Sequence, residues 1–189
     1  MNISRRSFLR SSAAASVATL GMLGTAHAET LPKDVKWDET CSLLVIGTGF
    51  AGLGAALESH YLGMKDILVV DKMPSAGGNS IINGGAIAAA GTDMQEKANI
   101  KDNADLLYSD ILKAGGGIAH ANLARRIADE SVSNYKWLRD EIGVKFKAVT
   151  YHGGHSVPRS HAVMENNGSG FISPMLANCT AFGIKVQLR

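Results

Sequence analysis

The stretch from Ser42 to Asp71 constrains this chain more than any other, because it sets two apolar runs around a glycine-spaced turn. Leu43–Ile46 is short, apolar and β-branched, as a buried strand requires. Gly47, Gly49 and Gly52 follow in G-x-G-x-x-G spacing. Phe50–Leu62 is small and Ala-rich and stops at Gly63, which predicts a helix. Ile67–Val70 is a second apolar run and closes on Asp71. Strand, glycine turn, helix and strand in that order make a βαβ unit.

Each residue of the turn has a physical role. Gly47 lets the chain leave the strand sharply, and Gly49 presents no side chain to a pyrophosphate. Gly52 lets the helix approach the sheet. Backbone N–H groups at the helix start, near Phe50–Gly52, face an anion along the positive end of the helix dipole. Asp71 lies about 20 residues on, where a carboxylate accepts hydrogen bonds from the ribose hydroxyls of an adenosine. A tight turn without a ligand is the competing reading. The strand before, the helix after and the acid at the second strand end argue together against it. The fold class is therefore α/β, a Rossmann-like domain.

Not all of the 189 residues belong to that domain. Ser4–Arg10 reads S-R-R-S-F-L-R, a twin-arginine export motif; an Ala-rich run and Ala26-His27-Ala28 follow, which predicts a leader over 1–28 and cleavage before Glu29. The apolar run is too short for a stable membrane anchor, which needs about 20 apolar residues. The expected location is the periplasm. Residues 29–41 are a polar lead-in, and 42–189 are the domain itself. The formal net charge of +2 includes Arg5, Arg6 and Arg10 of the leader, so the mature surface is close to neutral, and no basic stripe suggests nucleic acid. Cys41 and Cys179 could pair in an oxidising compartment, or Cys41 could simply fill space beside a strand; neither stands in a haem-attachment motif.

Beyond Asp71, Lys72–Ser80 contains Pro74, Gly77 and Gly78 and reads as a loop whose backbone can approach a ligand, with Asn79 and Ser80 as short polar groups. Ile81–Ala90 is apolar but broken by Gly84 and Gly85, where something flat could lie against the main chain. A helix capped by Asp102 or Asn103 runs to about Lys113. A longer one spans about Asn122–Ile142, with Leu123, Ile127, Tyr135, Leu138 and Ile142 as its apolar side. Val144–Val149 is a candidate strand. Tyr151–His161 carries three His and Arg159; its spacing fits no tetrahedral zinc set, and a solvated loop competes with an anion- or flavin-facing one led by Arg159 and His161. Gly170–Phe182 reads as a helix and Ile184–Leu188 as a strand.

V-I-G-T-G-F-A-G-L-G, then V-V-D-K-M-P-S-A-G-G-N-S, then G-G-A-I-A-A-A-G-T-D resembles the FAD-binding flavoproteins of the fumarate reductase and succinate dehydrogenase group, most of all the periplasmic flavocytochrome c type. The resemblance implies that Gly47, Gly49, Ala51 and Gly52 line the FAD pyrophosphate, that Asp71 with neighbouring Lys72 holds the adenosine ribose, that Gly78, Asn79 and Ser80 contact the pyrophosphate and ribityl region, and that Gly85 and Ala86 lie near the isoalloxazine ring. Membrane-bound relatives link a His of this region covalently to the flavin. No His occurs between Lys72 and Gly91, so the FAD should be non-covalent. The implied activity is reduction of an activated C=C bond in a small unsaturated carboxylate such as fumarate, methacrylate or urocanate. The implied electron donor is a separate cytochrome c. In the family a capping domain follows this stretch and supplies the catalytic groups; the chain reads as truncated before it, and no catalytic or metal-binding residue is assigned here. A fragment without activity and a related dehydrogenase, such as a ketosteroid dehydrogenase, are the alternatives.

Overall fold

Two short sheets, not one, organise the chain. The computed structural model describes residues 36–189, so the leader expected over 1–28 and most of the lead-in over 29–41 lie outside the described residues. In chain order the strands and helices are β1 (Leu43–Ile46), α1 (Phe50–Tyr61), β2 (Ile67–Val70), α2 (Gly78–Ile81), β3 (Ala86–Ala88), α3 (Asp93–Lys97) and α4 (Ala104–Ala114). There follow α5 (Ala121–Lys136, continued by a π-helical turn Trp137–Ile142), β4 (Phe146–Thr150), β5 (Ser160–Val163), α6 (Ser169–Ala181) and β6 (Lys185–Gln187).

The first sheet is parallel, in the order β1-β2-β6. Its crossovers run through α1 and α6, because parallel neighbours cannot be joined by a hairpin. Leu53, Ala56 and Leu57 repeat at helical spacing and are fully buried, so α1 turns one face onto the sheet. Ile172, Met175 and Cys179 do the same from α6, and with Val69 of β2 they form the core. Gly63 and Gly183 end the helical segments at φ +92° and +69°, conformations a residue with a Cβ adopts at a cost. Both cysteines are free thiols. Cys179 is buried, and burial pushes its thiol up to about 11.

The second sheet is antiparallel, in the order β3-β5-β4, with Ile87 opposite His161 and Val149 opposite His161 on the other side. The strand expected over Val144–Val149 is present as β4, and the glycine-broken run Ile81–Ala90 contains β3; their common partner is β5, which begins inside the segment read above as a loop. Two further readings change. Residues 78–81 form one helical turn within the expected loop. In α5, Leu123 and Ile127 face solvent, 61% and 59% exposed, while Ala124, Ala128 and Ser131 face inward. Ala128 packs in a second small core with Ala90 and Leu107, where α5 lies against α4, and small residues permit the close approach. From Tyr135 to Ile142 the expected face is the observed one. Among the described residues no helix is long and apolar enough to cross a membrane.

The loop between β5 and α6 locks onto the loop between α2 and β3. A Cβ on Gly168 would stand 1.7 Å from the Ser80 carbonyl oxygen. Gly168→Ala should therefore lower stability by about 1–3 kcal/mol through overpacking. Gly54→Ala, inside α1 with only the Met175 methyl at 3.8 Å, should raise it by about 0.5–1 kcal/mol. Urea unfolding midpoints of the two variants should move in opposite directions.

Candidate functional site

The loop joining β1 to α1 turns at Gly47, with φ +106°. A Cβ on Gly52 would lie 2.0 Å from the Gly47 carbonyl oxygen, so the helix starts this close to the strand end only because position 52 has no side chain. Gly49 is the helix N-cap and has no capping side chain. The N–H groups of Gly49, Ala51 and Gly52 have no acceptor among the described residues. That of Phe50 donates to Ser80 Oγ at 3.0 Å, so one of the N–H groups expected to face the ligand is already taken. The Ser80 hydroxyl thereby stands over the helix start.

Asp71 ends β2 beside this turn. Its Oδ2 accepts from the Thr48 N–H at 2.8 Å and the Thr48 hydroxyl at 2.5 Å, and its Oδ1 from the Met73 N–H at 3.0 Å. These bonds favour the ionised form and hold the carboxyl at about 2, against an ordinary 3.8, with the Thr48 hydroxyl the largest cause. Lys72, Gly78 and Asn79 are exposed near the same edge of the sheet. Gly85 is buried, and its lack of a side chain answers to protein, not ligand: a Cβ there would meet the Asn167 N at 2.5 Å. Ala86 follows as the first residue of β3, half-buried.

The fit to a dinucleotide diphosphate rests on these groups. Unpartnered N–H groups converge at the N-terminus of a helix of 12 residues, whose dipole favours an anion. A Cβ on Gly49 would meet Ser80 Oγ at 3.4 Å, so the gap beside it is kept by a hydrogen atom. An ionised carboxylate stands at the neighbouring strand end. A cavity of about 450 Å³ between α1 and α5 does not compete for the diphosphate, since Glu58 and Glu130 line it.

Arg159 and His161 are not anion-facing. Both side chains are fully buried: His161 lies on β5, the central strand of the second sheet, and Arg159 immediately precedes it. Arg159 Nη2 lies 2.9 Å from Asp102 Oδ1 and 3.1 Å from Asp110 Oδ2. Asp102 also accepts from Gln95 Nε2, and Asp110 accepts from the N–H and hydroxyl of Ser156. Burial alone raises the Asp110 carboxyl; the Ser156 bonds and the Arg159 charge outweigh it and leave it below its ordinary value. His161 Nδ1 donates to the Arg159 carbonyl, so its Nε2 accepts from the Thr92 hydroxyl at 2.7 Å. Burial depresses the imidazole against its hydrogen bonds and keeps it neutral. His152 and Tyr151 are exposed. Among the described residues no three His, Cys, Asp or Glu gather to hold a metal ion.

Residues 42–189 match the family described as FAD binding domain. The chain is 36% identical over 187 residues to the acrylate reductase flavoprotein subunit of Shewanella woodyi, covering 99% of this chain and 37% of that relative. It is similar to the open conformation of a flavocytochrome c3 fumarate reductase, at 30% identity and a TM-score of 0.74 over 80% of this chain and 27% of that one. A 3-ketosteroid-delta4-(5alpha)-dehydrogenase from Rhodococcus jostii gives a TM-score of 0.75 at 22% identity over 82% and 39% of the two chains, a likeness of fold alone. The chain thus spans well under half the length of these relatives.

Arg159→Met leaves Asp102 and Asp110 buried without a counter-charge and should cost about 3–5 kcal/mol in urea unfolding. His161 binds a proton more weakly folded than unfolded, so its contribution is present above its ordinary value of 6.5 and is lost as pH falls below it. His155, also depressed by burial, adds to the same slope. In His161→Gln the fall in stability between pH 7 and 5 should be smaller than in the parent, read from unfolding midpoints across that range.

Proposed function

Since this chain belongs to the FAD-binding domain family, with flavoproteins of fumarate and acrylate reductases among its relatives, we propose that it is the flavin-binding part of an oxidoreductase that reduces an activated C=C bond in a small unsaturated carboxylate. The observation that carries the cofactor half is the convergence of the Gly49, Ala51 and Gly52 N–H groups beside an ionised Asp71. The N–H groups take the pyrophosphate oxygens, and Ser80 turns its hydroxyl proton toward the same oxygens. Asp71 takes the adenosine ribose, with Lys72 beside it. Gly78 and Asn79 border the ribityl chain, and Gly85 and Ala86 border the flavin ring. FAD, when bound, supplies two-electron redox chemistry. The chain contributes binding and orientation; Arg159 and His161, the residues of the His-rich segment read as ligand-facing, lie buried, with Arg159 Nη2 paired to Asp102 and His161 bonded to Thr92.

The substrate class is supported by its relatives, an acrylate reductase flavoprotein subunit and a fumarate reductase. The absence of His between Lys72 and Gly91 supports non-covalent FAD. The Ser4–Arg10 motif supports export to the periplasm by the twin-arginine route, and a separate cytochrome c is the proposed electron donor.

FAD titrated into the purified chain should be quenched with one-to-one stoichiometry, and acid precipitation should leave a colourless pellet under a yellow supernatant. Asp71→Ala should weaken uptake about tenfold or more, the scale of a lost charge-assisted hydrogen bond. Uptake unchanged in Asp71→Ala would remove the ribose assignment.

A further inference from the structure

Thr48 stands between two glycines of the turn, and nothing in the glycine spacing points to it. Its side chain is fully buried. Its hydroxyl accepts from the Gly77 N–H at 2.9 Å and donates to Asp71 Oδ2 at 2.5 Å, while its own N–H donates to the same oxygen. One side chain therefore joins the first glycine turn, the end of β2 and the second glycine-rich loop. We propose that Thr48 is a positioning residue for the cofactor: its hydroxyl fixes the Asp71 carboxylate and the Gly77 loop in the arrangement the adenosine end of FAD requires.

The inference rests on the FAD reading above but reaches a residue outside it. Oδ2 already receives two hydrogen bonds, both from Thr48. A carboxylate oxygen has about two acceptor sites, so Thr48 fills those of Oδ2. Thr48 thereby turns a ribose hydroxyl away from Oδ2 and toward the other carboxylate oxygen. Donation from Gly77 into the Thr48 hydroxyl polarises it and strengthens its donation to Asp71. The second loop is held from the other side by the Phe50 N–H on Ser80 Oγ, so the two loops are clasped at both ends. The depression of the Asp71 carboxyl arises first from the Thr48 hydroxyl, with the N–H groups of Met73, Thr48 and Lys72 adding to it against burial. The geometry asks for a hydroxyl at position 48 and not for bulk.

Thr48→Val keeps shape and removes the hydroxyl; Thr48→Ser keeps the hydroxyl. The full chain and both variants are titrated with FAD by flavin fluorescence, and the Asp71 carboxyl is followed by carbon NMR against pH. The expected result is FAD affinity weakened about tenfold in Thr48→Val, the worth of roughly one buried hydrogen bond, with the Asp71 titration moving up from about 2 toward its ordinary range. Thr48→Ser should restore both. If the parent binds FAD and Thr48→Val binds it equally, or if the Asp71 titration does not move, this inference is overturned while the FAD reading stands. If Thr48→Val unfolds, Thr48→Ser decides: parental affinity and titration support the inference, and their loss overturns it. A parent chain that takes up no FAD overturns the FAD reading, and this inference with it.

Discussion

The distance between the Gly47 carbonyl and the first turn of α1 governs the structure. A methyl group at position 52 would sit 2.0 Å from that oxygen, far inside any allowed contact. Without the methyl, the helix begins directly off the strand end, and its unpartnered N–H groups collect where β1 and β2 stop. The same closeness brings Leu53 and Leu57 onto the sheet, where they are fully buried. Burying a side chain of this size contributes about 1.5–3 kcal/mol, so one local contact sets both the core and the anion-facing end of the helix.

Around that turn the polar groups are shared out with little left over. Thr48, Asp71, Gly77, Phe50 and Ser80 are joined by short hydrogen bonds across three segments. The three segments are thus tied to one another through the protein's own groups, and such ties lower the ordering cost of binding. The second sheet contributes indirectly. Val163 N–H donates to the Gly85 carbonyl and Gly168 N–H to the Asn83 carbonyl, so the glycine-broken segment after α2 is held by the strand and loop beyond it.

Arg159 shows why a charged residue in a glycine- and histidine-rich stretch is a poor guide to a site. Its partners, Asp102 and Asp110, lie far away in sequence and on the segment leading into and along α4. A solvated or ligand-facing arginine and a buried ion-paired one have the same local sequence. The meeting of Arg159 with Asp102 and Asp110 decides the matter, since two carboxylates from distant segments close over its guanidinium. Leu123 and Ile127 carry a related lesson. Helical periodicity selects a stripe, but a second packed helix with small contact residues can select the stripe one position over.

By itself the sequence determined the βαβ unit, the glycine turn and the acid at the end of β2, because every contact that shapes them lies within a short span of chain and each glycine answers a steric demand visible in its spacing. It also marked α4, α6 and β6 through caps, apolar runs and terminal glycines. Only the tertiary structure decided that Thr48 holds Asp71, that Ser80 takes the Phe50 N–H, that Gly85 is small for the sake of Asn167, and that Arg159 and His161 belong to the interior. Those outcomes depend on which distant segments meet, and burial and hydrogen bonding between them leave no periodic trace in the order of residues.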